Sequence, residues 1–223
     1  FLCSCLVGFA QDKQTQTVKL LDKSYTLSDI KNSLLINNSW VPYPAYTDRD
    51  AWKALTQPSY VDIIQQGEKF LDYQWKVVKA TDYIAYERNG SREIMEKPMN
   101  ENTTALSALF FAELAEGKGR FMDQIINGVW HFTEMSTWSL SAHLPAYQPS
   151  KRSLPDQGIH VVDLMAGDMG SFMSWIYYFL NKEMDKVNPV ISERLKTQIS
   201  ERIIQPYMSR NDMWWQAFEL GNN

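Results

Sequence analysis

The residues best placed to do chemistry fall between Glu113 and His143, in the run ELAEGKGRFMDQIINGVWHFTEMSTWSLSAH. Two amphipathic helical patterns meet there at Gly117-Lys118-Gly119, and the second opens into a loop of Trp, Ser and His. An indole such as Trp138 can stack on the apolar face of a sugar ring, or close a hairpin core as a lid. His143 lies in the same loop, where an imidazole is either solvated or put to use. Glu134 stands near the C-terminal end of a helical pattern, where the helix dipole disfavours a carboxylate. It should therefore pair with a neighbour, and His143 is the candidate. The combination points to a surface that faces sugar.

A second cluster, Tyr86, Arg88, Asn89 and Arg92, surrounds the strong turn signal Asn89-Gly90. Arginine grips carboxylate or sulfate through two parallel hydrogen bonds, so the cluster reads as an anion clamp. The plainer alternative is a solvated turn with a salt bridge to Glu87 or Glu93. His131, mid-helix beside Trp130, reads as a partly buried, satisfied histidine, and His160 as a cap or rim contact. Asp168, in an apolar helical pattern with glycines close by, reads as a structural acid that needs a partner. The three histidines lack HExxH-like spacing and cysteine partners, so no metal site is expected. Gly117-Lys118-Gly119 lacks the other glycines and the preceding strand of a phosphate-binding turn. No cofactor is expected.

These residues need a scaffold, and the scaffold reads as helical. Asp48 or Asp50 can cap a short helix through Leu55, and Pro58-Ser59 opens the next, which Gly67 weakens. A helix ends at Asn89-Gly90, and Asn102 or Thr103 can cap one carrying Leu106, Leu109, Phe110 and Leu114. Gly117 and Gly119 end it. A further helix carries Phe121 to Trp130. Thr137–Gly158 is a long loop of the kind that is usually functional or mobile. Helices follow from about Val162 to Leu180, from Pro189 until Pro206 closes it, and from Asp212 to Phe218. No strand alternation appears. The expected fold is all-α, an incomplete α/α toroid of antiparallel helical hairpins.

Composition sets the outer limits. A chain of 223 residues, 44% hydrophobic and 22% charged, can bury a substantial core and is not globally disordered. Its net charge of -4 argues against nucleic acid as the main partner, yet converging Arg and Lys can still receive an acidic ligand. Residues 1–10, FLCSCLVGFA, read as the remnant of a secretory signal peptide, too short to span a bilayer. Both cysteines, Cys3 and Cys5, fall inside it, so the mature chain is expected to have no disulfide. Residues 11–47 read as a polar lead-in arm and 48–223 as the helical domain.

Several of these segments, in this order, resemble the N-terminal helical domain of the heparinase II/III-like polysaccharide lyases. They are Ala85–Arg92, Glu116–Phe121, Ile125–Trp130, Ser136-Thr137-Trp138, Ala142-His143, Val161–Gly170 and the closing Gly221-Asn222-Asn223. The likeness extends from about Trp40 onward. It implies the N-terminal part of a periplasmic or secreted enzyme that cleaves an acidic, uronic-acid-containing polysaccharide such as heparan sulfate or alginate. In that family the toroid is followed by β domains. An Asn of an Asn-Asn-His or Asn-Asn-aromatic stretch lies against the uronate carboxylate; Asn223 matches it, with Asn222 beside it. The family's catalytic Tyr and a further His fall beyond this sequence, so the present chain alone is expected to be inactive.

The reaction explains that division of labour. The C5 proton of a uronate becomes removable only when the carboxylate charge is neutralised and the enolate-like intermediate is stabilised. A Tyr or His then takes the proton, and an acid protonates the departing O4. Two other classes compete. An α/α-barrel glycoside hydrolase needs two carboxylates facing one groove, with Glu134 and Asp168 the candidates. A non-catalytic glycan-binding protein would use Trp138, Tyr86 and Arg88 as binders.

Overall fold

The computed structural model describes residues 24–35 and 40–216, and among them every regular element is helical. The expected all-α class is therefore observed. Contacts divide the chain into Phe1–Tyr43 and Pro44–Asn223. The larger unit thus begins ahead of the boundary expected at 48. Tyr46 explains the difference, because its hydroxyl donates to Glu113 at 2.6 Å and belongs to the compact body.

In the first unit, helix α1 (Leu27–Ser33) stands where only a polar arm was expected. Thr26 and Asp29 form a reciprocal capping box: Asp29 N–H donates to Thr26 Oγ1, and Thr26 N–H donates to Asp29. The signal-peptide reading of residues 1–10, with both cysteines, lies outside the described residues.

The second unit opens with α2 (Arg49–Thr56), capped by Asp48, and α3 (Tyr60–Glu68), which follows Ser59. Gly67 does not weaken α3 so much as let it approach α5. A Cβ there would lie 2.3 Å from Ala112 Cβ. Helix α4 (Ala80–Asn89) ends at Gly90, whose φ of 74° is the left-handed conformation that glycine adopts without a Cβ clash.

Helix α5 (Glu93–Glu116) begins well before the expected cap at Asn102 or Thr103. Asn102 is instead fully buried in mid-helix and satisfied on both sides of its amide. Its Oδ1 accepts from Tyr73 Oη and Lys76 N–H, both at 3.0 Å, and its Nδ2 donates to Lys76 O at 2.8 Å. A buried amide in a core must be paired, and this one pins the 73–76 segment to α5. Gly117 ends α5 as expected, with φ 65°.

Helix α6 (Met122–Glu134) then leads to the long loop, which holds a single turn of helix, α7 (Leu144–Tyr147). Helix α8 (Leu164–Val187) runs two turns past the expected end. The last long helix departs further from expectation. After α9 (Pro189–Ile199) the chain widens into a π-helical segment, Ser200–Ile204, and continues as α10 (Gln205–Ser209). Pro206 does not close that helix; it enters α10 directly after the π segment. Trp214–Gln216 form a 3-10 turn in place of the last expected helix, and Phe218 lies outside the described residues.

Helix α5 packs against α2, α3, α4 and α6, while α9 packs against α6 and α8. The core between them is built from Met95, Met99, Leu106, Leu109, Phe121, Ile125, Phe132, Met169, Met173, Ile176 and Leu195. None of the described helices is long and apolar enough to cross a membrane.

Candidate functional site

The extended strip His160–Asp163, just ahead of α8, organises the region where function was expected. Each residue of it is held from a different direction. Arg210 Nη1 donates to His160 O at 2.9 Å, Ser139 Oγ to Val161 O at 2.5 Å, and Trp215 Nε1 to Val162 O at 3.1 Å. Asp163 is buried and caps α8 by accepting from Ala166 N–H at 2.8 Å. Its second oxygen accepts from Leu140 N–H at 3.0 Å and lies 2.6 Å from His143 Nδ1. A carboxylate can only accept, so Nδ1 carries the hydrogen of this bond, and the ring is 29% exposed.

The loop before the strip is built as firmly. Gln148 is buried, and its amide donates to Arg152 O and Leu154 O while accepting from Asp156 N–H at 3.0 Å. Ser153 is buried as well; its hydroxyl donates to Tyr83 O and its N–H to Glu87 at 2.7 Å. The long loop is therefore an ordered wall fastened to α4.

This wall faces the π segment and α10 across a cleft of about 700 Å³. Tyr147, Lys151, His160, Glu201, Ser209 and Arg210 are among its lining residues. Two backbone features mark the place. Lys151 has φ 55°, the one positive φ outside glycine among the described residues, and such strain concentrates at functional sites. The π segment lies on the opposite wall, and π insertions into α-helices occur frequently at such sites.

The electrostatics are mixed. Arg210 chelates Asp212 through Nε at 2.9 Å and Nη2 at 2.8 Å, and that bond holds the Asp212 carboxyl below the usual range. Burial depresses the His160 imidazole, and the charge of Arg202 pushes it the same way against Glu201. Arg202 is itself buried, and desolvation lowers it to about 10. It donates to Met135 O at 2.6 Å and to Gln198, while its Nη1 has no partner.

The structure redistributes the expected site residues. Trp138 is only 1% exposed, with Nε1 donating to Phe132 O at 2.8 Å and the Arg202 guanidinium 5.3 Å from its ring centre. It is the core lid and not a sugar platform. Glu134 pairs with Arg194 at 2.6 Å and not with His143, whose partner is Asp163. Tyr86 is half-buried on α4, while Arg88, Asn89 and Arg92 are exposed around the Gly90 turn. Asn89 Oδ1 accepts from Ser91 N–H at 2.9 Å. Glu87 takes Arg152 as its partner at 2.6 Å, so neither Arg88 nor Arg92 is consumed by it. None of these residues lines the cleft. Asp168 is exposed on α8, and no hydrogen bond or ion pair joins it to Glu134. Asn222 and Asn223 lie outside the described residues.

His131 is satisfied, as expected. Its ring stacks on Trp75 at 5.9 Å, and Nε2 lies 2.9 Å from Asn102 Nδ2. The residues that sequence reasoning passed over are Tyr147, Lys151, Asp163, Arg202 and Arg210. Asp163 alone left a usable signal, an acid immediately before an apolar helical run. No family model and no curated protein matches the chain.

Proposed function

We propose that this chain forms the helical wall of a polysaccharide-binding cleft in a lyase that cuts uronic-acid-containing chains by β-elimination. On this reading the hairpins belong to an incomplete α/α toroid, and the protein works in the periplasm or outside the cell. The resemblance of the sequence segments quoted above, in their order along the chain, supports the family. The observation that carries the reading in the fold is the cleft between the 147–160 wall and the π segment. It combines Tyr147, a neutral-leaning His160, and the cations Lys151 and Arg210. An acidic sugar needs apolar ring contact, hydrogen bonding and a cation within reach; Tyr147, His160 and Lys151 are of those types, while Asp212 holds Arg210 and Glu201 adds a second acid to the lining.

In the reaction, Asn223 and Asn222 would neutralise the uronate carboxylate and so acidify C5. A base takes that proton, the electron pair forms the C4–C5 double bond, and an acid protonates the departing O4. The residues of the cleft have the narrower task of holding the chain in register. The reading expects binding of uronate oligosaccharides without turnover by the 223-residue chain. Calorimetry with alginate and heparan sulfate oligosaccharides tests the first part, and ultraviolet absorbance of unsaturated uronate the second. Absence of binding to every uronate polymer overturns the proposal.

A further inference from the structure

Residues 73–79 run between α3 and α4 without regular structure, yet they are fastened at several points. Trp75 Nε1 donates to Gln124 Oε1 at 3.0 Å, and Gln124 Nε2 donates to Leu71 O at 2.9 Å. The indole lies directly on α6, since a Cβ at Gly128 would stand 2.4 Å from Trp75 Cη2. It also stacks on the His131 ring, with the two planes 27° apart. From α5, Asn102 holds Lys76 through both of its backbone groups. The segment is a strap across α5 and α6.

Asn102 also fixes the proton on His131. Lys76 N–H can only donate and Lys76 O can only accept, so the amide has one allowed orientation, with Nδ2 toward the ring. At 2.9 Å that N–H needs a lone pair on His131 Nε2. A protonated imidazole carries N–H on both nitrogens and offers none. Two donors then face each other, and either way out loosens the strap. If Asn102 turns over, both bonds to Lys76 are broken. If the ring swings away, Trp75 loses its stacking partner. The ionisable groups of the neighbouring elements are already engaged: Lys76 of the strap with Glu101 of α5, Tyr73 with Asn102, and Glu134 of α6 with Arg194 of α9. Burial alone moves the His131 ring below its ordinary value.

We propose that His131 and Asn102 form an acid-released latch: one proton taken up at His131 Nε2 frees the 73–79 strap while the helices beneath it stay folded. None of these residues lines the cleft, so the latch stands or falls independently of the sugar-binding reading.

Hydrogen exchange in the 223-residue protein, followed by NMR and corrected for the intrinsic effect of pH, tests the latch. The Lys76 amide reports the strap, and the amides of Leu106 and Leu109, fully buried on α5, report the helices. An open strap takes up the proton near 6.5, so lowering the pH from 7.5 to 5.5 should cut Lys76 protection by up to about tenfold. At pH 5.5 Lys76 should exchange well ahead of Leu106 and Leu109, because the strap opens without the core. In His131→Gln a side-chain oxygen accepts from Asn102 at every pH, and Lys76 protection should become independent of pH over this range. His160→Gln removes the other depressed histidine and should leave the response intact. If His131→Gln does not fold, the unaltered protein still decides, because titration of the His131 ring resonances and the change at Lys76 must share one midpoint. Equal Lys76 protection at both pH values, an unchanged response in His131→Gln, or separate midpoints would each overturn the latch. So would a Lys76 amide that exchanges no faster than Leu106 and Leu109, since the strap would then leave only with global unfolding.

Discussion

His131 and His160 are both held in a form less ready to take a proton than an ordinary imidazole, chiefly because burial disfavours the charged ring. For His131 the geometry agrees, since Asn102 Nδ2–H can donate only to an unprotonated Nε2. The unfolded chain takes up these protons near the ordinary value of 6.5, whereas the folded chain takes them up at lower pH. Between the two values the unfolded state binds more protons, so stability rises with pH and is lost as pH falls below about 6.5. The lowered carboxyls of Glu87, Glu116 and Asp212 act at more acid pH. Urea midpoints measured from pH 7.5 down to 5.5 should therefore decline, and His131→Gln should flatten the decline. A flat profile in the unaltered protein would exclude this account. At the residue scale the sequence is least legible in its partnerships. A mid-helix ring beside an apolar face is usually satisfied, and His131 is. Nothing local to His143 points to its carboxylate, Asp163, which stands twenty residues ahead.

Elements were legible wherever their ends use local chemistry. Asp48, Asn89-Gly90 and Gly117 bound helices as their types suggest, because caps and left-handed turns are decided by neighbouring residues, whereas Ser59 precedes α3 without a side-chain capping bond. Asn102 misled for the same reason: its side chain suits a cap, and only tertiary structure turns it into a buried hub. The π segment is illegible in principle, since one extra residue per turn leaves no compositional mark. Two substitutions separate local from tertiary roles. Asp163→Ala removes the cap of α8 and two further hydrogen bonds that converge on the carboxylate. It should lower stability by about 1–2 kcal/mol in denaturant titrations and release His143. Retention of the His143 proton resonance in a slowly exchanging hydrogen bond would exclude that role. Gly67→Ala tests packing, because its Cβ would meet Ala112 Cβ at 2.3 Å. Overpacking of this kind should cost about 1–3 kcal/mol, although alanine is the better helix former. A gain in melting temperature would show that α3 and α5 can separate freely.

For the whole molecule, the net charge is acidic, while the cleft lining sets two cations, Lys151 and Arg210, against two acids, Glu201 and Asp212. The chain carries -4, so an acidic polysaccharide meets overall repulsion and must be drawn in by a local cation. Arg210 is largely committed to Asp212 and to the carbonyls of His160 and Tyr147. Lys151 donates an exposed bond to Ala146 O at 3.3 Å and its charge also helps to lower the Asp212 carboxyl, but it is less committed than Arg210, which chelates Asp212 directly. If the proposed ligand is right, most of its electrostatic attraction passes through Lys151. Affinity for a uronate tetrasaccharide should then fall as salt rises from about 0.05 to 0.5 M, because the Debye length shortens below the reach of a surface charge. Lys151→Ala should weaken binding at low salt and leave a smaller salt dependence, whereas Asp212→Asn should strengthen binding by freeing Arg210. The cleft could not be foreseen, since its walls come from residues 147–160 and 201–212, each ordinary in its own segment. The salt series decides whether their meeting matters. Equal salt slopes for the unaltered protein and Lys151→Ala would place the acidic ligand elsewhere, with the exposed arginines at 88 and 92 the next surface to test.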